Sequence, residues 1–326
     1  MIMINKLVRF VKNPRRYYRS IEELFLRFRS EFFSHLSPYS FLDDKYYLEY
    51  HFYKRFSYRL NLQNPQTFNE KLQWIKLFYR NPLYTRLADK YSVRNYVQEK
   101  IGKSYLVNLL GVYEDAAEID WNLLPNRFVI KTTHSSGWNI ICNNKETLDI
   151  VKANAILNKW IKSNYYETTE SREWQYKNIQ PRIIVEEYLE GDKIFGLLDY
   201  KFYCYCGEPK FILVCYNRYS DLRINFFDTD WNPLDVRHGV PNSELIFKKP
   251  INLDKMLEIS RILSKNIPFC RIDLYSVKGN IYFSEVTICP SGGFGKFDSY
   301  RSDLLIGKPF LLPKKLKGSS CQLLTS

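Results

Sequence analysis

Four side chains near the C-terminus have the types and spacing to hold a cation: Arg271 and Asp273, then Glu285 and Thr287. They lie on the arms of Arg271-Ile-Asp-Leu-Tyr-Ser-Val-Lys-Gly-Asn-Ile-Tyr-Phe-Ser-Glu-Val-Thr287. Those arms are β-branched and aromatic, and Lys278-Gly279-Asn280 supplies turn residues between them, so the stretch predicts a β-hairpin. A hairpin symmetric about Gly279 sets Asp273 opposite Glu285 and Arg271 opposite Thr287. Alternation with a period of two puts all four on one face. Opposed side chains lie about 4.5–5.5 Å apart at Cβ, where like charges are destabilising, so the two carboxylates call for a proton or a cation. Mg²⁺ commonly reaches a protein through one or two carboxylates plus substrate phosphates. A solvated hairpin, its acids offset by Arg271 and nearby lysines, is the alternative on these residues alone.

A second set lies upstream. Strand Arg127-Phe-Val-Ile-Lys131 runs into Thr132-Thr-His-Ser-Ser-Gly-Trp-Asn139, followed by strand Ile140-Ile-Cys142. Backbone N–H groups and hydroxyls of such a turn, here around Ser135, Ser136 and Gly137, can wrap phosphate, with Lys131 supplying charge. A plain hairpin is the alternative, and the Walker A pattern is absent. Arg182–Leu189 reads as a buried strand whose end carries Glu186, Glu187 and Tyr188. Asp199 and Lys201 share one face of a strand over 199–206.

The elements that must position these groups are partly legible. Thr67-Phe-Asn-Glu70 is a capping box opening a helix. Residues 85–101 predict one helix stopped by Gly102, and 148–162 another; Asn252 is expected to cap a third, ending near Leu263. Strands are predicted over 106–112, 210–216 and 223–227. Residues 20–66 are Tyr-rich and give no clear placement.

The 326 residues, 45% hydrophobic and 25% charged, suffice for one large domain or two to three lobes of a folded soluble protein. The 26 Tyr, 22 Phe and 6 Trp favour β-rich walls and clefts over a coiled coil. Residues 1–30 carry a net +6 of the chain's +13, which points to an acidic partner. No nucleic-acid-binding signature accompanies it, so a membrane surface or an anionic polymer is expected instead. Ile4, Leu7, Val8 and Val11 recur at helical spacing among basic residues, and peripheral membrane contact is expected through residues 1–19. An ordinary packed helix is the alternative. The seven cysteines form no CxxC pair, and the four histidines have no metal spacing. No apolar run approaches membrane-spanning length, and Lys6, Arg9 and Lys12 interrupt any signal-peptide core. A cytoplasmic protein, held at the inner face of the cell membrane, is expected.

The order of these pieces is more specific than any one of them: a strand-end lysine, a Ser/Gly turn, a Glu-Glu-Tyr-Leu strand end, a second strand lysine, then an Asp…Glu hairpin. It resembles the ATP-grasp fold. Arg271-x-Asp273, Glu285-x-Thr287 and the following Pro290-Ser-Gly-Gly look like the corresponding segment of D-alanine–D-alanine ligases. From Phe68-Asn-Glu-Lys-Leu through Ala88-Asp-Lys-Tyr-Ser-Val-Arg onward, the chain resembles the TupA-like branch, over roughly residues 67–313. That branch is named for a teichuronopeptide biosynthesis protein, and its members are often encoded among capsule and surface-polysaccharide genes.

The resemblance implies an α/β (α+β) fold of three lobes, with nucleotide between two lobes that contain β-sheets. The implied divisions are a basic segment 1–44, an α/β lobe 45–120, a lid lobe 121–188, a C-terminal lobe 189–313 and a tail 314–326. It implies ATP and Mg²⁺ as cofactors. Lys131 would bind the α/β-phosphates under a 133–139 lid, and Glu186, Tyr188 and Leu189, with Glu187, would form the adenine hinge. Lys201 would be a second nucleotide lysine; Asp273, Glu285 and Thr287 would hold the metal; Arg271 would stabilise charge on an acyl phosphate. Thr287 stands where these enzymes usually have Asn, and Asp192 and Lys193 compete for the place of a ribose-binding acid. The implied activity is an ATP-dependent carboxylate–amine ligase of surface-polysaccharide biosynthesis, which amidates a uronic acid with an amino acid. Its partners would be an anionic polysaccharide or lipid-linked sugar precursor and an amine. A nucleotide-sugar glycosyltransferase using Asp228-Thr-Asp230, and a non-catalytic binding protein, are the competing readings.

Overall fold

Residues 20–66 form two long helices, α1 (Pro14–Leu36) and α2 (Phe41–Phe56), packed on each other. Ser40 caps α2 by accepting the Asp43 N–H. The computed structural model describes residues 14–36, 38–192, 196–216, 221–245 and 247–314, with side chains from Arg19 onward. The expected N-terminal helix and the tail beyond 314 lie outside them, as does Lys193. The expected 44/45 division falls inside α2.

Helix α3 (Phe68–Phe78) starts at the predicted capping box. The Thr67 hydroxyl accepts the Glu70 N–H, and the Glu70 carboxylate accepts the Thr67 N–H. The single helix predicted over 85–101 is instead two, α4 (Leu83–Ala88) and α5 (Ser92–Ile101). Asp89 breaks it, because its carboxylate accepts from the Tyr91 N–H and the Ser92 hydroxyl in place of helical bonding. The break frees Lys90 from the helical path.

Strands β1 (Leu109–Tyr113), β2 (Phe128–Thr132), β3 (Asn139–Cys142) and β4 (Ile183–Glu187) form an antiparallel sheet in the order β1-β4-β2-β3. Strand β1 thus joins the small sheet, although the sequence assigned it to the lobe before. Phe128, Ile130, Ile183 and Val185 on one face bury against Leu157 of α6 (Ile150–Ile161). Alternation therefore sends Lys131 and Glu186 out of the opposite face. Glu187 has the register of the helix-side face and is exposed. A short helix α7 (Tyr165–Thr168) precedes β4.

Strands β5 (Asp199–Tyr205), β6 (Glu208–Tyr216), β7 (Arg223–Phe227), β8 (Pro233–Leu234), β9 (Phe269–Val277) and β10 (Asn280–Thr287) form the large antiparallel sheet, ordered β10-β9-β5-β6-β7-β8. Helix α8 (Leu253–Ser264) covers the face that carries Cys204, whose thiol approaches the Ser260 carbonyl. Asn252 holds the expected N-cap position of α8 but makes no side-chain cap bond; its amide donates to the Ser276 hydroxyl at 3.0 Å. Helix α9 (Tyr300–Gly307) packs on α3.

The β9–β10 hairpin reaches its expected pairing by an unexpected route. Lys278 and Gly279 both have positive φ, 50° and 83°, as a two-residue hairpin turn requires. Asn280 then faces Val277, and Phe283 faces Leu274, one residue out of the predicted register. A bulge between Phe283 and Glu285 adds a residue and restores Glu285 opposite Asp273 and Thr287 opposite Arg271. It also moves Glu285 off the core side occupied by Phe283, because a one-residue slip exchanges the faces of a strand.

Candidate active site

Lys201, Arg271, Asp273, Glu285 and Thr287 share the face of the large sheet opposite α8. Arg271 lies between the two opposed carboxylates. Its Nε and Nη2 donate to the two Asp273 oxygens at 2.6 and 2.7 Å, a bidentate pair. Nη2 also reaches Glu285 Oε1 at 3.2 Å and Thr287 Oγ1 at 3.0 Å. Thr287 in turn donates to Glu285 at 3.0 Å. Lys201 is buried beneath, paired with Asp273 and, at 2.6 Å, with Asp199. Burial alone would lower its pKa, but the two carboxylates raise it above the ordinary lysine value. Lys201 thus neutralises Asp199 and Asp273 beside Arg271, and it lines the cavity that opens against the hairpin.

The small sheet presents a different group. Lys131 donates to Glu186 at 2.6 Å, and Arg94 of α5 donates to the other oxygen at 2.7 Å. Burial opposes the Lys131 charge, yet Glu186 and the nearby Tyr275 and Glu285 raise its pKa. Lys131 is thus within electrostatic reach of the hairpin across the cleft. Lys90 bonds the Ser135 carbonyl, fixing the 133–139 turn, and burial pushes its pKa down to about 8. Lys90 and Arg94 entered the sequence reading only within the Ala88–Arg94 stretch that carries the resemblance, with no role assigned to either. The Ser135 side chain is buried, bonded to Thr132 Oγ1 at 2.5 Å, so from Ser135 only the backbone N–H is left to face a phosphate. Ser136 and Gly137 are the exposed part of the turn, and Gly137 has φ 78°, a left-handed value suited to glycine. The Tyr188 ring lies 4.1 Å from the Arg127 guanidinium, and Leu189 follows it half-buried at the end of β4.

A cavity of about 780 Å³ opens against the hairpin, lined by Lys201, Arg271, Glu285 and Thr287 and by Ser136 of the turn. Its far wall includes His51, Lys54 and Arg55 of α2 together with Tyr165, Glu173 and Tyr176. Burial pushes Glu173 up to about 7 and His51 down to about 4. The floor is the Ser291-Gly292-Gly293 loop, whose three residues all have positive φ, at 51°, 60° and 72°. A Cβ at Gly292 would lie 2.4 Å from Ser171 Cβ, so glycine is required there. One buried polar stripe of α3 holds this loop. Asn69 donates to the Gly295 carbonyl at 2.9 Å, Gln73 to Gly293 at 2.7 Å and Lys76 to Gly292 at 2.8 Å. The positions i, i+4 and i+7 carried that signal in the sequence.

Residues 70–311 match the family described as TupA-like ATPgrasp. The chain belongs to that family. Its fold is that of the ATP-grasp ligases, mixed α/β with two antiparallel sheets. Among solved structures it is similar to D-alanine–D-alanine ligase from Bacillus anthracis, at 14% identity over 74% of this chain and 69% of that one, TM-score 0.40. Phosphoribosylamine–glycine ligase from Thermotoga maritima matches at 16% identity over 65% and 51%, TM-score 0.38. An ADP complex of N5-carboxyaminoimidazole ribonucleotide synthetase matches at 12% over 76% and 57%, TM-score 0.42. The chain thus spans between 51% and 69% of the length of these three solved chains. A search of curated proteins finds no match.

ATP and Mg²⁺ are the standard cofactors of the family. The donor set fits such an ion in one way. Among the described residues no three His, Cys, Asp or Glu side chains group closely enough to hold a metal. A divalent ion here would therefore complete its shell with phosphate oxygens. Glu285, with its side chain 33% exposed, can contribute to that shell beside Thr287. Asp273 is fully buried with both oxygens engaged, and it joins only if Arg271 turns aside.

Proposed function

We propose that the protein is an ATP-dependent carboxylate–amine ligase that works through an acyl phosphate on an anionic surface-polysaccharide or lipid-linked sugar precursor. A uronic acid and an amino acid are the expected pair. The observation that carries this is the Arg271 network, which joins Asp273, Glu285 and Thr287 at a cavity wall while Lys131 lies within electrostatic reach of Glu285.

ATP would lie between the sheets, its phosphates toward Lys131 and the 133–139 turn and its adenine at the Glu186–Leu189 strand end. Bound Mg²⁺ would neutralise phosphate charge and polarise the transferred group. In the first step a substrate carboxylate oxygen bonds to the γ-phosphorus and the bond to ADP breaks. In the second the amine nitrogen bonds to the acyl carbon, phosphate leaves, and the nitrogen gives up a proton. Negative charge builds on phosphoryl and carbonyl oxygens in both steps, where Arg271 can meet it. Glu173, with its pKa near 7, is the cavity carboxyl suited to take the amine's proton.

The test is incubation with ATP, Mg²⁺ and pools of uronic acids and amines. ADP and phosphate are expected only when both pools are present; AMP and pyrophosphate would exclude the acyl-phosphate route. The glycosyltransferase reading has weaker support. Asp228 accepts the N–H groups of Asp230 and Asn232 at 3.0 and 2.8 Å, so its carboxylate closes a turn outside the cavity.

A further inference from the structure

One face of helix α2 meets the 165–173 segment at successive turns. Asp44 accepts from the Tyr166 hydroxyl at 2.5 Å and pairs with Arg172 at 3.4 Å. The Arg172 guanidinium lies 4.3 Å from the centre of the Tyr47 ring, and His51 Nδ1 lies 3.8 Å from Glu170. Asp43, Asp44 and Arg172 are buried, so removing one of them would strand a charge, and the join is a firm one. Positions 44, 47 and 51 share a helix face, and 54 and 55 continue it by one turn. At that last turn the row passes into the active-site cavity, where Lys54 and Arg55 form part of the wall.

Both cations are exposed, and neither has an ion-pair partner among the described residues. Arg55 Nε donates to the Phe294 carbonyl at 3.0 Å, which ties the guanidinium to the floor loop. The acids of the same wall are Glu170 and Glu173. Glu170 has a side chain 78% exposed, so water screens it. Glu173 is buried at the floor: a Cβ on Gly292 would lie 3.5 Å from its Oε2. Arg55 and Glu173 therefore touch one loop at points two residues apart, whose Cα atoms are separated by at most about 7 Å. A wall of one sign would suit a plain anion or a plain amine. This one carries both signs over a short span and suits a small molecule with an amine and a carboxylate. Residues 41–56 also precede the 70–311 stretch that matches the family, so these cations come from a part of the chain outside that match.

We propose that Lys54 and Arg55 bind the carboxylate of the amine substrate, an α-amino acid, and so hold its nitrogen beside Glu173. The assignment rests on the ligase reading, whose second step it supplies with an oriented nucleophile. The bound carboxylate stays ionised throughout. The ammonium first releases a proton to solvent. The neutral nitrogen then bonds to the acyl carbon and passes one proton to Glu173, while the bond from that carbon to the phosphate oxygen breaks and phosphate leaves.

The test uses the full chain with Mg²⁺–ATP, a pool of uronic acids and a pool of common α-amino acids, against the matching amino-acid amides, in which a carboxamide replaces the carboxylate. ADP release is measured, and binding of each pool is followed by saturation-transfer NMR. The amino acid that the pool identifies is expected to have a KM at least about tenfold below that of its amide, because the amide forfeits charged hydrogen bonds. Lys54→Gln/Arg55→Gln is expected to raise the amino acid's KM about tenfold or more, with kcat changed only a few-fold and the amide's KM unmoved. A merely structural role would move acid and amide alike. Should the double variant not fold, Lys54→Gln alone decides, since Lys54 has no hydrogen-bond partner among the described residues. Amides that bind as tightly as the acids, or an acid KM unchanged in the variant, would overturn the proposal. Amino-acid binding that the variant loses, without ADP release, would keep the subsite and sink the ligase reading. ADP release supported by simple amines but by no amino acid would do the reverse.

Discussion

The two sheets meet the cleft with similar parts and opposite balance. On the small sheet Lys131 and Arg94 share one carboxylate, Glu186, leaving a formal +1, and Lys90 is offset by Asp89. On the large sheet Lys201 and Arg271 face Asp199, Asp273 and Glu285, leaving a formal −1. Each cluster is nearly neutral, which makes it tolerable in a half-buried cleft. Each also retains one charge for a ligand. The excess is positive on the small sheet and negative on the large one, a polarity that the proposed Mg²⁺–nucleotide would complement.

The largest expected effect breaks the large sheet's share of the chemistry. Arg271→Met should cut ADP release by about 10²–10³-fold while leaving Mg²⁺–ATP affinity within a few-fold, as steady-state kinetics and calorimetry would measure. A collapse in nucleotide affinity instead would assign Arg271 to the phosphates. Arg271→Lys is the variant to use if the methionine form is unstable. Next, Asp273→Asn should destabilise the fold by about 3 kcal/mol in urea titration, since Lys201 and Arg271 lose a buried partner. The half-exposed Glu285→Gln should cost less than about 1 kcal/mol. Equal losses would mean that the hairpin acids are interchangeable.

The polarity itself is tested by a pair. Lys131→Met should weaken ATP about tenfold or more with or without Mg²⁺, because it removes a charged phosphate donor. Glu285→Gln should weaken ATP by about tenfold only when Mg²⁺ is present. If Glu285→Gln acts equally without the metal, the comparison fails. The smallest effect concerns the cavity wall. Burial raises Glu173 from its ordinary value to about 7, so the folded state holds a proton there that the unfolded chain releases. Stability from this group is therefore present at low pH and lost as pH rises through about 7. The difference in melting temperature between Glu173→Gln and wild type should shift by about 2–4 °C in the variant's favour between pH 5 and pH 8. A flat difference would show that Glu173 is already ionised.

The hairpin was legible because alternation and turn chemistry are local. Even so, the bulge near Ser284 was not, and without it Glu285 would lie on the core side with Phe283. Lys131 and Glu186 were readable as strand ends, but not that they bond each other, since that depends on how β2 and β4 align. Lys90 was hidden by an Asp89 side chain that competes with the helix backbone. Residues 20–66 were opaque for a different reason. Periodicity reports that a helix has an apolar face, and α1 turns that face outward.

The α3 staple on the Ser291–Gly293 loop has a mechanical consequence. Asn69, Gln73 and Lys76 join the first helical pieces to the floor of the cavity through buried bonds, and Phe68 wedges its ring against Phe269 at 5.0 Å. Those parts are therefore coupled as a stiff frame. The small sheet meets that frame through Lys90 and Arg94 among other contacts. A substitution in α3 would thus be felt at the cavity floor before it reached the small sheet.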